Sequence, residues 1–444
     1  MVNLRDHKKL FVFEKRFTCF AGILLILLCV FSCNNLFISG GGSLIIAVPG
    51  ARAATASSFT IELTGSNGTT QSKTVSGGST VQFDDLAPDT YRISVKAADD
   101  SGAVVLYGTS DATVTAGATA SATVKMSEVV NDYGSLSNAI STGGIVYIGS
   151  DIDVDSTLTV NTDVTLLPFE NDVILKKTDN IVLISVSAAG TLTVGGNDYT
   201  ITLDGAALEN DSNSLINANG SGSTVYLNRN SIVTNNSGTG LSITGVNTTS
   251  KAYLYLNGGT ISNNKAGGVS LSSAEFVMND GSIESNTSTQ GAGVNMTASN
   301  ASFVMKGGNI SNNNSTGNGG GVNVTGGSKF TMEGGSIKGN SATGTGKGVN
   351  FAGSGFLKMS GSAVIDSSNE VYLSANCKIT ITGKLTGAPS VATITPRDYS
   401  LSTQVLSTEN GVTLANEVGK FAVTQNPADG SEWTIDPNTG NLVQ

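Results

Sequence analysis

The chain has 444 residues with 55 glycines, one tryptophan and only 13% charged residues, a composition typical of multi-domain all-β proteins. Its net charge of −10 argues against nucleic-acid partners and against electrostatic binding to anionic membranes. The only histidine is His7, inside the N-terminal segment described next, so histidine-based triads and zinc sites are excluded from the mature protein.

Residues 1–32 have the pattern of a secretory signal. Five basic residues precede an apolar run at 17–31, and removing the segment changes the net charge to −13. The run ends in the letters VFSC at 30–33, which resemble a bacterial lipobox and imply a lipid on Cys33. The alternative is ordinary cleavage after the letters ARA at 51–53. The lipid anchor implies secretion through the inner membrane to the outer membrane or cell surface, with a periplasmic position left open.

Cysteine usage adds a further restriction. Cys19 and Cys29 lie inside the signal, so only Cys33 and Cys377 remain in the mature chain. If Cys33 carries lipid, no disulfide framework can form within the chain.

A small β-sandwich is predicted at 58–126, after a flexible tether at 33–57 that is rich in glycine, serine and alanine. Apolar and polar residues alternate cleanly through its strands. The stretch from Phe83 to Tyr91 resembles the corner of carboxypeptidase-regulatory-like sandwiches, with Asp89 where that family usually has glycine. The resemblance implies a spacer or stalk.

The third segment, 127–395, is predicted to be a solenoid with a short amphipathic cap at 133–141 and less regular early coils at 144–219. Its repeat is clearest in three stretches: Phe276 starts FVMNDGSIESN, Phe303 starts FVMKGGNISNN, and Phe330 starts FTMEGGSIKGN. The steps are 27 and 27 residues, then 26 to Phe356, and similar units start further upstream. A fixed period of this size indicates stacked repeats.

Each unit offers three short strands, because apolar residues fall at i and i+2 and glycine or asparagine fills the gaps. The unit is too short for a helix as well, and it lacks the framework of leucine-rich repeats. We therefore predict an all-β fold: a parallel β-helix with three strands per coil and about ten coils, for which the resemblance given below implies a right-handed coil.

Stacking predicts columns of equivalent residues inside the solenoid. The first column runs through Val225, Leu254, Phe276, Phe303, Phe330 and Phe356. The second runs through Leu227, Leu256, Met278, Met305 and Met332 and ends at Lys358, and the third runs through Leu241, Val269, Val294, Val322, Val349 and Val371. A structural asparagine ladder, in which each amide donates to one neighbour and accepts from the other, is predicted at Asn235, Asn264, Asn286, Asn313 and Asn340.

The units resemble the right-handed β-helix repeats of the pectate-lyase-like superfamily. They are most similar to bacterial surface proteins such as the polymorphic outer-membrane adhesins. The matching motifs are Gly-Gly-x-Ile at 258–261, 307–310 and 334–337, and Phe-x-x-Asn at 276–279. The resemblance covers 136–391 and is specific for the fold.

The segment 396–444 is predicted to be a C-terminal cap in which residues 420–425 and 431–443 form a hairpin that holds Trp433.

Enzymatic chemistry is the main alternative to a binding role. Lyases of this fold hold Ca²⁺ with aspartates on adjacent coils and use an arginine or lysine as base, and hydrolases pair two carboxylates. The coil region has a single arginine, Arg229, and the regular repeats have two aspartates, Asp280 and Asp366, in different columns. We therefore expect no catalytic residue and no cofactor.

The sharpest acidic cluster is Asp151, Asp153 and Asp155. It is a weak candidate for Ca²⁺ binding, because residues two apart on a strand lie roughly 6.6 Å apart. The simpler interpretation is a strand with Ile152 and Val154 inward and the carboxylates in solvent.

The remaining candidates are two outward columns. One holds Ser270, Asn295, Asn323 and Asn350. The other, with Tyr226, Tyr255, Val277, Val304, Thr331 and Leu357, is unusually apolar, which indicates either a covering loop or a binding strip. The sequence favours a non-catalytic, lipid-anchored surface protein that adheres to a host or matrix protein or to a glycan. The alternatives are a carbohydrate-binding or polysaccharide-cleaving β-helix protein and a structural envelope rod.

Overall fold

The computed structural model describes residues 40–48, 56–76, 79–297, 300–387 and 389–444. The predicted signal, Cys33 and most of the predicted tether lie outside these residues. The chain divides into two compact units, the first ending at Met126 and the second beginning at Ser127. Within the described ranges, no helix has the length and apolar character needed to cross a membrane.

The first unit is a β-sandwich, since two sheets share one hydrophobic core. In one sheet, β1 pairs antiparallel with β4 and parallel with β7, and in the other β2 pairs with β3 and β5, and β5 with β6. The strands are β1 (Gly42–Ala47), β2 (Ser58–Thr64), β3 (Thr70–Val75), β4 (Thr80–Leu86), β5 (Asp89–Ala98), β6 (Val104–Val114) and β7 (Thr119–Thr123).

Strand β1 corrects the predicted tether at 33–57. Leu44 and Ile46 of this strand are fully buried in the sandwich core. The apolar letters LIIA at 44–47 outweigh the glycines before them, because burying a leucine and an isoleucine stabilises the fold by roughly 1.5–3 kcal/mol each.

The corner from Phe83 to Tyr91 is closed by side chains. The Tyr91 hydroxyl donates to the Ala87 carbonyl at 3.1 Å, and Phe83 and Leu86 are buried. The Asp89 carboxyl accepts a hydrogen bond from the Ser66 amide at 2.7 Å, and hydrogen bonding lowers the pKa of this carboxyl.

The second unit begins with β8 (Ser127–Val130) and the cap helix α1 (Tyr133–Thr142). The helix begins at the predicted residue and ends one residue later than predicted. Asp132 caps it by accepting from the Ser135 amide. Leu136 and Ile140 are buried against the first coils, so the helix covers the end of the stack.

The body of the second unit is a parallel β-solenoid of about ten coils, which confirms the predicted architecture. The coils contribute strands to three faces, named here A, B and C, and the last coils have no strand on face B. Face A contains β9 (Gly144–Ile148), β12 (Asp163–Pro168), β15 (Thr191–Val194), β18 (Thr224–Asn228), the first halves of β21 (Ala252–Ser262) and β23 (Ala274–Glu284), β26 (Ser302–Met305), β30 (Lys329–Met332), β34 (Phe356–Gly361), β37 (Ile379–Leu385) and β39 (Leu406–Thr408).

Faces B and C follow in each coil. Face B contains β10 (Ile152–Val154), β13 (Val173–Lys177), β16 (Ile201–Asp204), β19 (Ser231–Thr234), the second halves of β21 and β23, β27 (Asn309–Ser311), β31 (Ser336–Lys338) and β35 (Val364–Ile365). Face C contains β11 (Leu158–Val160), β14 (Ile184–Val186), β17 (Ile216–Asn219), β20 (Leu241–Thr244), β22 (Val269–Ser272), β25 (Val294–Met296), β29 (Val322–Gly326), β33 (Val349–Gly353), β36 (Val371–Leu373), β38 (Ala392–Pro396) and β40 (Phe421–Val423). Between faces B and C, three coils add a short sheet of β24 (Thr287–Ser288), β28 (Asn314–Ser315) and β32 (Ser341–Ala342).

The interior columns on face A stack as predicted until the ninth coil. Phe303 lies between Phe276 and Phe330, with ring centroids 4.5 and 4.8 Å away. The next residue in register with Phe330 is Leu357, not Phe356, and Met359 continues the methionine column in place of Lys358. Leu357 and Met359 are fully buried, whereas Phe356 is half-buried on the outer side. The prediction slipped by one residue here.

The solenoid also extends further than predicted. Strands β39 and β40 pair in parallel with the preceding coil, so coils continue past residue 395 to Val423. The predicted hairpin partner at 420–425 is therefore largely the last strand of face C. The cap consists of the helix α2 (Leu414–Glu417), the 3-10 turn Val418–Lys420, and a hairpin of β41 (Thr434–Ile435) with β42 (Leu442–Val443).

Candidate functional site

An asparagine ladder runs through the solenoid at the turn after face B. Each rung uses its whole amide: Asn313 Nδ2 donates to Asn340 Oδ1 at 2.9 Å and to the Ile283 carbonyl at 2.9 Å. Its Oδ1 accepts from the Asn286 backbone amide and from Asn286 Nδ2, both at 3.0 Å. Every donor and acceptor of this buried amide is therefore satisfied, which identifies the ladder as structural.

The ladder contains four of the five predicted residues and corrects the fifth. Asn236, fully buried, takes the place predicted for Asn235, and Asn369 adds a final rung by accepting from Asn340. Asn235 instead adopts the left-handed turn conformation, with φ of 60°. In the regular repeats the ladder asparagine follows the inward residue by three positions, and the inward residue here is Val233, in register with Ile261, and not Ile232.

A buried ion pair, which sequence reasoning missed, closes the N-terminal end of the ladder. Lys177 Nζ donates to Asp211, to Asn236 Oδ1 at 3.0 Å and to the Ile181 carbonyl at 3.1 Å. Both charged side chains have no exposed surface. Since the rung amides point their oxygens toward the N-terminal coils, the ammonium lies at the negative end of the aligned dipoles.

The apolar column on the outside of face A is a straight strip of half-exposed side chains. Register places Tyr226, Tyr255, Val277, Val304, Thr331 and Lys358 one above the other. Lys358 corrects the predicted Leu357, which is buried by the one-residue slip described above. We call the corrected set the face A strip.

The strip is most distinctive at its tyrosines. The rings of Tyr226 and Tyr255 stack with centroids 4.7 Å apart and an interplanar angle of 12°. The pKa of Tyr255 is raised mainly by burial and, to a smaller extent, by the neighbouring Tyr226 and Glu275. Its phenol is therefore neutral at physiological pH. Beside it, Lys251 and Glu275 form an ion pair at 3.3 Å. The N-terminal end of the strip thus combines a neutral aromatic pair with an ion pair beside it.

The second predicted outward column is only partly a surface, since Ser270 and Asn295 are half-exposed. Asn323 and Asn350 are buried and form a second ladder, in which Asn350 Nδ2 donates to Asn323 Oδ1 at 2.7 Å and Asn323 Nδ2 to Asn295 Oδ1 at 2.9 Å. The preceding loop folds over them: a Cβ on Gly319, whose φ is +66°, would lie 2.6 Å from the Asn323 Cβ. Sequence alternation alone cannot show such a cover.

The acidic cluster has the simpler of its two predicted arrangements. Ile152 and Val154 are buried, and Asp151, Asp153 and Asp155 are exposed. Asp151 Oδ1 accepts from the Ile174 amide at 2.7 Å. Among the described residues, no group of three or more histidine, cysteine, aspartate or glutamate side chains is arranged to hold a metal ion.

Strand register also shows which residues lie opposite the carboxylates on neighbouring coils. Asp153 is in register with Lys176, which is in register with Asp204. In the registers of the described solenoid strands, no carboxylate lies directly opposite another. Arg229 pairs with Asp198 at 3.2 Å, and both side chains are mostly exposed.

Comparisons of the chain with family models, with curated proteins and with solved structures gave no match.

Proposed function

We propose that this chain is a non-catalytic surface protein, anchored by a lipid on Cys33, that adheres to a host or matrix protein through the face A strip. The stacked pair of Tyr226 and Tyr255 at the N-terminal end of the strip carries the proposal. Aromatic residues are enriched at the anchoring centres of protein interfaces. The strands of the strip are held in fixed register by their neighbours, so the strip is rigid. A rigid strip loses little conformational entropy on binding, which supports the proposal.

The corrected end of the strip also supports a protein partner. Lys358 pairs with Glu409 at 2.6 Å, so the apolar centre is followed by a polar end, as in interfaces with an apolar core and polar rim. Stacked rings cover each other's faces, which leaves less ring face for a sugar than an isolated tyrosine would offer. A protein surface is therefore the partner that the strip favours.

The strip predicts a loss of adhesion without a loss of fold. Tyr255→Ser combined with Val304→Ser should reduce binding of the purified protein to wells coated with basement-membrane extract by about tenfold or more, since it removes anchoring side chains. Both residues are half-exposed, so the urea midpoint should change little.

A matched control lies on face B, where Ile174 and Ile232 share an outward column. The double change Ile174→Ser with Ile232→Ser removes a similar amount of apolar surface and should leave adhesion unchanged. Equal losses from the two double variants would mean that the strip has no special role. Unfolding of the strip variant would mean that its residues are covered.

The lipid anchor is tested separately. Cys33→Ala should abolish incorporation of a clickable fatty acid in cells, because the acyl chain requires the cysteine thiol, whereas Cys377→Ala should leave labelling unchanged. Persistent labelling of the Cys33→Ala protein would contradict the anchor at Cys33, and absence of labelling in the unchanged protein would favour cleavage at 51–53.

A further inference from the structure

The corner between faces C and A varies from one to seven residues in the earlier coils and lengthens steadily over the last three. It has two residues between β33 and β34 (354–355), five between β36 and β37 (374–378), and nine between β38 and β39 (397–405). Stacking needs only the short form of this corner. In repeat proteins, residues added to the repeat form loops on one face, and that face is often the binding face.

The two long corners enclose a cavity of about 600 Å³ above the ends of β36 and β38. This volume lies within the range of roughly 300–1,000 Å³ that is usual for small-molecule sites. Its lining differs from an ordinary apolar pocket, because nine of its 14 lining residues are polar or charged. The cavity therefore suits a ligand with many hydrogen-bonding groups.

Charge distinguishes this cavity from the rest of an acidic chain. Its charged lining residues are Lys378, Arg397 and Asp398, which leaves one net positive charge. Lys378 is held in place, since its Nζ donates to Gln404 Oε1 at 2.7 Å while Gln404 Nε2 donates to the Thr439 carbonyl at 2.8 Å.

Arg397 is the charged lining residue with unused hydrogen-bond donors. Its side chain is 58% exposed, and its Nε is 4.0 Å from Asp398 Oδ1, too far for a hydrogen bond. The guanidinium thus keeps donors for a ligand, and its planar fork matches carboxylate and sulfate oxygens.

The hydroxyls beside the arginine complement such an anion. Ser400 Oγ lies 3.1 Å from Ser402 Oγ and 3.0 Å from Thr403 Oγ1. Hydroxyls both donate and accept, so this cluster can exchange its internal hydrogen bonds for bonds to ligand hydroxyls. We propose that the cavity binds an acidic sugar, a small ligand with several hydroxyls and one carboxylate or sulfate.

The site is for binding, not for covalent chemistry. Cys377 lines the cavity but is buried, and its Sγ donates to the Gly353 carbonyl at 3.4 Å. Burial raises the pKa of the thiol, which keeps it protonated and weakly nucleophilic at neutral pH.

The test is calorimetric titration of the full chain at low ionic strength. The probes are N-acetylneuraminic acid and glucuronic acid as carboxylates, glucose 6-sulfate as a sulfate, and glucose as the neutral control. We expect millimolar binding of at least one acidic probe and none of glucose. Arg397→Ala should weaken that binding about tenfold or more, the size of one lost charge-assisted hydrogen bond.

Two control variants outside the cavity test whether the sugar binds in it. Arg229→Ala removes an exposed arginine whose pairing with Asp198 is outside the cavity and should leave the affinity unchanged. Tyr255→Ser with Val304→Ser should also bind the sugar normally, which separates this site from the adhesion proposed for the face A strip. Lys378→Met provides a second cavity variant.

Three outcomes would overturn the proposal. The first is no binding of any acidic probe at millimolar concentration. The second is equal binding of glucose, which would remove the role of the anion. The third is an affinity that Arg397→Ala and Lys378→Met leave unchanged in folded protein, which would place the sugar elsewhere.

Discussion

Asp211→Ala should destabilise the protein by about 3–5 kcal/mol, because it leaves the Lys177 ammonium buried without its counter-charge. Both side chains are completely buried, and Lys177 would keep only two neutral acceptors, the Ile181 carbonyl and Asn236 Oδ1. The measurement is urea unfolding followed by far-UV circular dichroism.

Two comparisons show whether burial is the cause. Asp198→Ala breaks a pair with Arg229 that is mostly exposed and should have no measurable effect on stability. Adding Lys177→Met to Asp211→Ala should recover part of the loss, since it removes the unpaired charge. A loss below about 1 kcal/mol for Asp211→Ala alone would show that the pair is hydrated, contrary to its burial.

Phe303→Ser should also destabilise by about 3–5 kcal/mol, because it opens a cavity in the ring stack and buries a hydroxyl. Phe303 has no exposed surface, and it contacts Phe276 and Phe330 on either side. The same urea measurement applies.

The matched control is Phe356→Ser, a phenylalanine at the start of a repeat two coils further on. Phe356 is half-buried on the outer side, with Lys358 Nζ 4.7 Å from its ring centroid. Losing that contact and a partly exposed ring should cost about 1 kcal/mol. Equal losses at the two positions would mean that Phe356 belongs to the interior column and that the register described here is wrong.

The sequence alone was sufficient for the architecture. A period near 27 residues with alternation inside each unit admits few folds other than a parallel β-solenoid. It was also sufficient for the interior columns from Val225 to Phe330 and for the start of the cap helix at Tyr133. These features depend on patterns along the chain: the period is visible where several repeats are aligned, and the alternation and the helix start are visible locally.

Register at the ends of the regular region was decided only by the tertiary structure. Val233 and Leu357 are the inward residues because each lies opposite an interior residue of the next or previous coil. The sequence pattern instead favours Ile232 and Phe356, because each is the larger apolar residue of an adjacent pair. A slip of one residue reverses inside and outside on a strand, and this is why Asn235 and Leu357 were misplaced.

Contacts between distant segments were likewise beyond the sequence. Lys177 and Asp211 are 34 residues apart, and no repeat predicts their pairing, because each occurs once. The cover over Asn323 and the cavity beside Arg397 depend on how loops fold over neighbouring strands, which the alternation within a strand does not specify. Periodicity determined where the strands stack and where the first asparagine ladder lies, but only the three-dimensional fold of the loops determined which outward polar groups are buried and where a ligand has room to bind.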